Sequence, residues 1–309
     1  MVYKLPKPLQ KGDTIALLAP SSPMATEGEV DRCIQIAEAL DLKVKPFPTL
    51  HLREDYLAGT DAQRARDLTK AFADPKVAGV FAIRGGYGAG RLMHLLDFKA
   101  MAESRKLLLG FSDITALIFG FLKQGKMCTL HAPTPSYFRT SNPAKEASFA
   151  ALKRVLFDPA APVSLRDLAG EWFKPRTIRR GKVTGPLIGG NLSLVSSLVG
   201  TPHFPNLKGA VLFLEDVHEK PYRLDRYLTQ IIQSGELDKV AGIALGQFND
   251  CNPVSPDFSD ASQVLERCLK DVKVPILAGL PVGHDDPSFP LMIGRRVELD
   301  ATKGDLRYI

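Results

Sequence analysis

The chain has 309 residues, a formal net charge of +6, and 45% hydrophobic and 24% charged residues. That length fits two domains, and the balance is that of a globular protein with enough apolar side chains for a core, which excludes a disordered or fibrous chain. The basic excess is mild, and its densest cluster (Arg176, Arg179, Arg180 and Lys182) has no interleaved aromatics, so it reads as a solvated face that attracts anionic substrates and not as a nucleic-acid site.

Short apolar runs alternate with amphipathic patterns through the first half. Thr14–Ala19 reads as a strand, and Glu27–Leu40 as a helix with Val30, Ile34, Ala37 and Leu40 on one face. Lys43–Phe47 is a strand, Asp61–Ala73 a helix, Val77–Ile83 a strand, and Gly90–Leu96 opens a further helix. Lys106–Phe111 is a strand and Ile114–Lys123 a helix. This alternation predicts an α/β fold of Rossmann or flavodoxin type, with a parallel sheet covered on both faces and ligands at the carboxyl ends of its strands. A breaker cluster at Asp158-Pro159-Ala160-Ala161-Pro162 and a polar, basic stretch after it mark a boundary. We expect an N-terminal domain over residues 1–160, a linker over 161–182 and a smaller mixed β/α domain over 183–309. In the latter, Gly209–Leu214, Val240–Phe248 and Val274–Leu280 read as strands, Arg223–Ile232 and Ser262–Leu269 as helices, and Leu291–Ile309 as a terminal hairpin.

Cys33, Cys128, Cys251 and Cys268 are dispersed, which argues against a zinc ribbon or disulfide framework and for a reducing compartment. The first apolar run is too short for a signal or a membrane span. A cytoplasmic protein is the expectation. No metal-ligand spacing and no nicotinamide or ATP signature is present, so no cofactor and no metal are expected.

Three polar residues directly follow apolar strands. Ser112 stands in Leu109-Gly110-Phe111-Ser112-Asp113-Ile114, where a strand gives way to a helix. A serine on such a turn is held out beside the free N–H groups of the new helix, the arrangement a nucleophile needs. The competing reading makes Asp113 a helix cap and Ser112 a turn residue. Glu215 ends Val211–Leu214, and His284 follows a Leu-Pro-Val-Gly loop. Serine, histidine and carboxylate are the parts of a nucleophilic triad, although Glu215 can also pair with Arg223 or Arg226, and His284 with Asp285 or Asp286. His131, at another apolar end, rivals His284 as the base, and the residues alone do not separate them. The cluster Arg84-Gly85-Gly86-Tyr87-Gly88-Ala89-Gly90-Arg91 fits neither a dinucleotide fingerprint nor a P-loop. It reads either as a glycine-lined loop supplying an oxyanion donor or as a turn needing positive φ. A second glycine run, Gly185 to Ser193, reads as a loop with Asn191 capping the following helix.

Together these segments resemble the serine LD-carboxypeptidases, the family of murein tetrapeptide carboxypeptidases and microcin-C immunity proteins. Carrying the resemblance are Arg84-Gly85-Gly86-Tyr87-Gly88, Gly110-Phe111-Ser112-Asp113-Ile114-Thr115, His131-Ala132-Pro133, Gly189-Gly190-Asn191-Leu192, Leu214-Glu215-Asp216 and Gly283-His284. It implies Ser112 as nucleophile, Glu215 and His284 as its partners, and His284 over His131 as the base. It also implies a metal-free hydrolase, usually a homodimer, releasing terminal D-Ala from murein tetrapeptide. On that footing Asp113 and Gly86 are the expected oxyanion donors, and Arg84 and Tyr87 the expected substrate contacts. The alternatives are a microcin-C-type amidase acting on peptidyl-nucleotides and a non-catalytic peptide-binding protein.

Overall fold

The computed structural model describes residues 2–255 and 257–309. Its strands are β1 (Thr14–Leu18), β2 (Lys43–Pro46), β3 (Gly79–Ala82), β4 (Leu107–Gly110), β5 (Thr129–His131), β6 (Arg176–Arg179), β7 (Lys182–Asn191), β8 (Val211–Val217), β9 (Gly242–Asn249), β10 (Ile276–Ala278), β11 (Leu291–Ile293), β12 (Arg296–Asp300) and β13 (Asp305–Tyr308). The helices are α1 (Glu27–Glu38), α2 (Asp61–Ala73), α3 (Phe98–Glu103), α4 (Thr115–Gly120), α5 (Pro143–Phe157), α6 (Leu165–Ala169), α7 (Leu192–Leu198), α8 (Pro221–Gln233) and α9 (Ala261–Leu269).

Among the described residues the first sheet has the order β11-β5-β4-β3-β1-β2. Strands β1 to β5 run parallel, and β11 closes the edge antiparallel to β5. The parallel order 2-1-3-4-5 is the flavodoxin-like one, whose crevice opens between β1 and β3 at the carboxyl ends. Strands covered on both faces need continuous apolar runs, and every residue of β3 and β4 is buried. Helices α1 and α2 begin at capping boxes, Thr26 with Glu29 and Thr60 with Gln63. The second sheet has the order β13-β12-β7-β8-β9-β10-β6, with β7 to β10 parallel and the outer strands antiparallel. The molecule is therefore α/β, with one mainly parallel sheet and one mixed sheet. Helix α4 is buried along its whole length and packs against α7 and β7, joining the two sheets.

Three local expectations change. The helix expected over Gly90–Leu96 is a short 3-10 turn over Ala89–Leu92, and the helix proper is α3, whose N-cap is Asp97. The glycine run Gly185 to Ser193 lies largely in β7. A Cβ on Gly185 would stand 2.2 Å from the Gly209 carbonyl oxygen, and one on Gly189 1.8 Å from that of Phe213. Close approach to a neighbouring backbone, not a loop, demands glycine here. Finally, Leu291–Ile309 is a hairpin only in β12 and β13, because β11 crosses to the first sheet.

Candidate active site

The first sheet delivers Ser112. Strand β4 ends at Gly110, and Ser112 adopts φ 61°, a left-handed conformation that a serine rarely takes. The turn leads through a 3-10 segment into α4. A non-glycine residue strained in this way at a strand-to-helix turn is the geometry of a nucleophile elbow. The Asp113 N–H belongs to the first turn, where N–H groups lack intrahelical partners.

Beside it lies the loop after β3. Gly85 faces the serine so closely that a Cβ there would be 3.0 Å from Ser112 Cβ and 3.2 Å from Asp113 N. Gly86 follows with φ 112°, and its own Cβ would strike the Ser22 hydroxyl at 2.5 Å. Tyr87 N–H donates to Ser22 Oγ at 3.1 Å. The Asp113 carboxylate is an internal tether, buried and accepting from Ser21 Oγ at 2.6 Å and from Ala89 N at 2.7 Å. Burial lifts its pKa above the ordinary carboxylate value against the pull of these donors. Sequence reasoning placed Asp113 as a cap and missed the tether. It also missed Arg64, a wholly buried guanidinium that donates to the carbonyls of Pro20 (2.7 Å), Gly88 (2.9 Å) and Gly59 (3.2 Å). Its only signal was a charged residue on the apolar stripe of α2.

Glu215 comes from the second sheet and His284 from the loop after β10. Glu215 is completely buried in β8, and its Oε2 lies 2.8 Å from His284 Nδ1. The His284 ring rests on Phe111, centroids 4.6 Å apart, so it stands beside the residue preceding the serine. Burial opposes charging of His284, but the charge and hydrogen bond of Glu215 outweigh it and hold the imidazole pKa above its ordinary value. The loop carrying His284 is itself fixed. Gln247 Nε2 donates to the Pro287 carbonyl at 2.8 Å, and Tyr137 OH to that of Asp285 at 3.0 Å. Asp216, next on β8, accepts from Asn191 Nδ2 (2.9 Å), Ser193 N (3.0 Å) and Val217 N (2.9 Å). Burial, then the charge of Glu215, pushes its pKa up to about 7. Asn191 caps α7 by accepting from Leu194 N at 3.3 Å, and its own N–H donates to Thr115 Oγ1 at 3.0 Å, fastening β7 to the start of α4.

The structure thus brings Ser112, Asp113 and the glycine loop together with His284 and Glu215. His131 is not paired with Glu215 or Ser112. Both of its ring nitrogens lack a hydrogen-bond partner within the protein, and burial pushes its pKa down to about 4. Arg84 is half-buried, donates to the Pro23 carbonyl at 3.3 Å and forms no ion pair among the described residues. Tyr87 is 53% exposed and meets Tyr56 edge to face at 5.5 Å. No group of three or more His, Cys, Asp or Glu among the described residues is arranged to hold a metal ion.

Residues 15–132 match the LD-carboxypeptidase N-terminal domain and residues 184–299 the LD-carboxypeptidase C-terminal domain. The chain belongs to the LD-carboxypeptidase family. A Bacillus subtilis relative, named a probable murein peptide carboxypeptidase, is 35% identical over 306 residues, covering 97% of this chain and 92% of its own. The crystal structure of a muramoyltetrapeptide carboxypeptidase from Oxalobacter formigenes superposes with a TM-score of 0.83 at 30% identity, over 95% of this chain and 97% of that one. A microcin C7 self-immunity protein shares the LD-carboxypeptidase fold with a TM-score of 0.88 over 100% and 98% of the two chains, but at 21% identity the likeness is one of fold alone.

Proposed function

We propose that this chain is a serine-type carboxypeptidase that hydrolyses the amide joining the terminal D-Ala of murein tetrapeptide to its third residue. The observation carrying the proposal is the His284 ring, bonded to Glu215 on one side and lying against Phe111, beside the strained Ser112 turn, on the other. Family membership and the names of the relatives support the substrate.

In this reading His284 Nε2 takes the Ser112 hydroxyl proton as Oγ attacks the carbonyl carbon. Glu215 holds Nδ1–H and stabilises the imidazolium. The Asp113 and Gly86 N–H groups receive the oxyanion. Collapse of the tetrahedral intermediate breaks the C–N bond, and His284 returns the proton to the departing D-Ala amine. Water, deprotonated by His284, then cleaves the acyl-serine ester and regenerates the hydroxyl. Arg84 binds the terminal carboxylate: it is charged, half-buried near the loop and free of any ion pair among the described residues. Tyr87, exposed on the same loop, contacts the peptide. The two-domain division drawn from the sequence gives the nucleophile to the N-terminal part and its partners to the C-terminal part. We further infer a cytoplasmic homodimer, supported by the four unpaired cysteines and by the family resemblance.

The test is D-Ala release from murein tetrapeptide by wild type and Ser112→Ala side by side. Release by wild type with a loss of roughly 10⁴-fold or more in Ser112→Ala is expected, as in other triads. Comparable turnover by both refutes the nucleophile assignment. A folded wild type that releases nothing from tetrapeptide refutes the substrate.

A further inference from the structure

Between the two sheets lies a polar group that the proposed mechanism does not use. His131 is 1% exposed at the end of β5, and neither Nδ1 nor Nε2 has a hydrogen-bond partner within the protein. Glu215 gives Oε2 to His284, but its Oε1 is likewise buried and unpartnered. Thr129 Oγ1 is a further such atom. The pleat explains the grouping. Thr129 and His131 are two apart on β5 and share one face, as do Phe213 and Glu215 on β8. Those faces meet, since the His131 ring stands edge-on to Phe213 with centroids 5.2 Å apart. Phe111, the ring on which His284 rests, also meets the His131 ring near-perpendicularly, at 6.0 Å. His131 is close enough to Glu215 and His284 for the charge of each to act on it.

Buried polar atoms are almost always hydrogen-bonded, to protein or to an ordered water, and leaving one unmet is costly. A carboxylate with one oxygen engaged and the other buried without a partner is a poor orienter, because nothing fixes which oxygen faces the imidazole. A neutral imidazole offers one donor and one acceptor. No direct hydrogen bond joins His131 to Glu215, and a single water needs the polar partners this group supplies.

We propose that His131 is a positioning residue for the triad: its neutral ring donates, through one bound water, to Oε1 of Glu215, holding that carboxylate with Oε2 on His284 Nδ1. His131 touches no substrate and exchanges no proton in the reaction. The proposal rests on the Ser112, His284 and Glu215 assignment above and adds the group that fixes the carboxylate.

The experiment compares wild type, Ser112→Ala, His131→Phe and His131→Gln in D-Ala release from murein tetrapeptide, with thermal unfolding alongside. His131→Phe is expected to lose kcat by roughly 10-fold or more while KM changes little, since only orientation is disturbed. His131→Gln, which keeps a donor, is expected to recover most of that loss. A folded His131→Phe with wild-type kcat, or equal losses in both substitutions, overturns the proposal while leaving the triad intact. Activity surviving in Ser112→Ala overturns the triad reading itself. A second measurement holds even if His131→Phe does not fold. In protein carrying ¹⁵N-histidine, the His131 ring resonances are expected to shift in Glu215→Gln, and identical resonances in the two proteins overturn the link.

Discussion

Gly85→Ala isolates the geometry of the proposed oxyanion site. The added methyl carbon would lie 3.0 Å from Ser112 Cβ, 3.2 Å from Asp113 N and 3.2 Å from the Phe111 carbonyl oxygen. Carbon atoms at rest are separated by about 3.5–4.0 Å, so the serine turn and the glycine loop must part by roughly 0.5 Å. Neither side yields freely, because Asp113 ties the turn to Ser21 and to Ala89 of that loop. Overpacking of this kind costs about 1–3 kcal/mol of stability. Its catalytic effect is larger relative to its size. A displacement near 1 Å costs on the order of 10²-fold, and losing one oxyanion donor costs about 10²–10³-fold. We therefore expect kcat/KM for D-Ala release to fall roughly 10²-fold, about 2.7 kcal/mol in barrier, with kcat carrying most of it. Gly90→Ala is the control, because a Cβ there meets nothing within 4 Å. Folded Gly85→Ala with kcat/KM within about threefold of wild type would refute the placement of the oxyanion donors at this loop.

Three further outcomes follow from the same geometry. Because Glu215 holds the His284 pKa above its ordinary value of 6.5, the acid limb of the kcat/KM profile should fall above pH 6.5, activity rising as His284 loses its proton; in Glu215→Gln the limb should move down and kcat drop by about 10³–10⁴-fold, and an unmoved limb measured by pH-dependent kinetics would detach Glu215 from the base. Arg84→Ala should raise KM about tenfold or more with a smaller effect on kcat, and should lose the wild-type preference for a free over an amidated substrate carboxylate; retention of that preference in competition kinetics would remove Arg84 from carboxylate binding. Arg64→Met should cost about 3–5 kcal/mol in denaturant unfolding, because three carbonyls lose a buried charged donor, and a loss under about 1 kcal/mol would show that the loops do not depend on it.

Much of the proposed site was legible because its residues sit where local patterns are sharpest. The apolar run into Gly110, the switch to helical spacing after Asp113, and the polar residues after Leu214 and Gly283 are local facts, and the His284 ring links these segments through Phe111 and Glu215. What was hidden depends on distant neighbours. Gly189 and Gly190 looked like a loop, yet lie at the end of β7, where the Phe213 carbonyl and Thr115 side chain leave no room for a Cβ. Arg64 and the Asp113 side chain gain their roles from carbonyls and N–H groups far away in sequence. The choice between His131 and His284 could not be made from residues alone, because both follow apolar strands. Only the fold places one against Glu215 Oε2 and leaves the other set near-perpendicular to two phenylalanine rings.

Strand β11 gives the edge of the first sheet a chemical meaning. The edge of the first sheet beyond β5 is closed by Leu291–Ile293, a segment that follows just after the loop that bears His284. A chain that stops short of it carries the serine turn beside an open strand edge, and open edges recruit other chains. Pairing β5 with β11 thus fastens the segment just after the histidine loop to the sheet that carries the serine turn, so one edge contact ties the two halves of the proposed triad together.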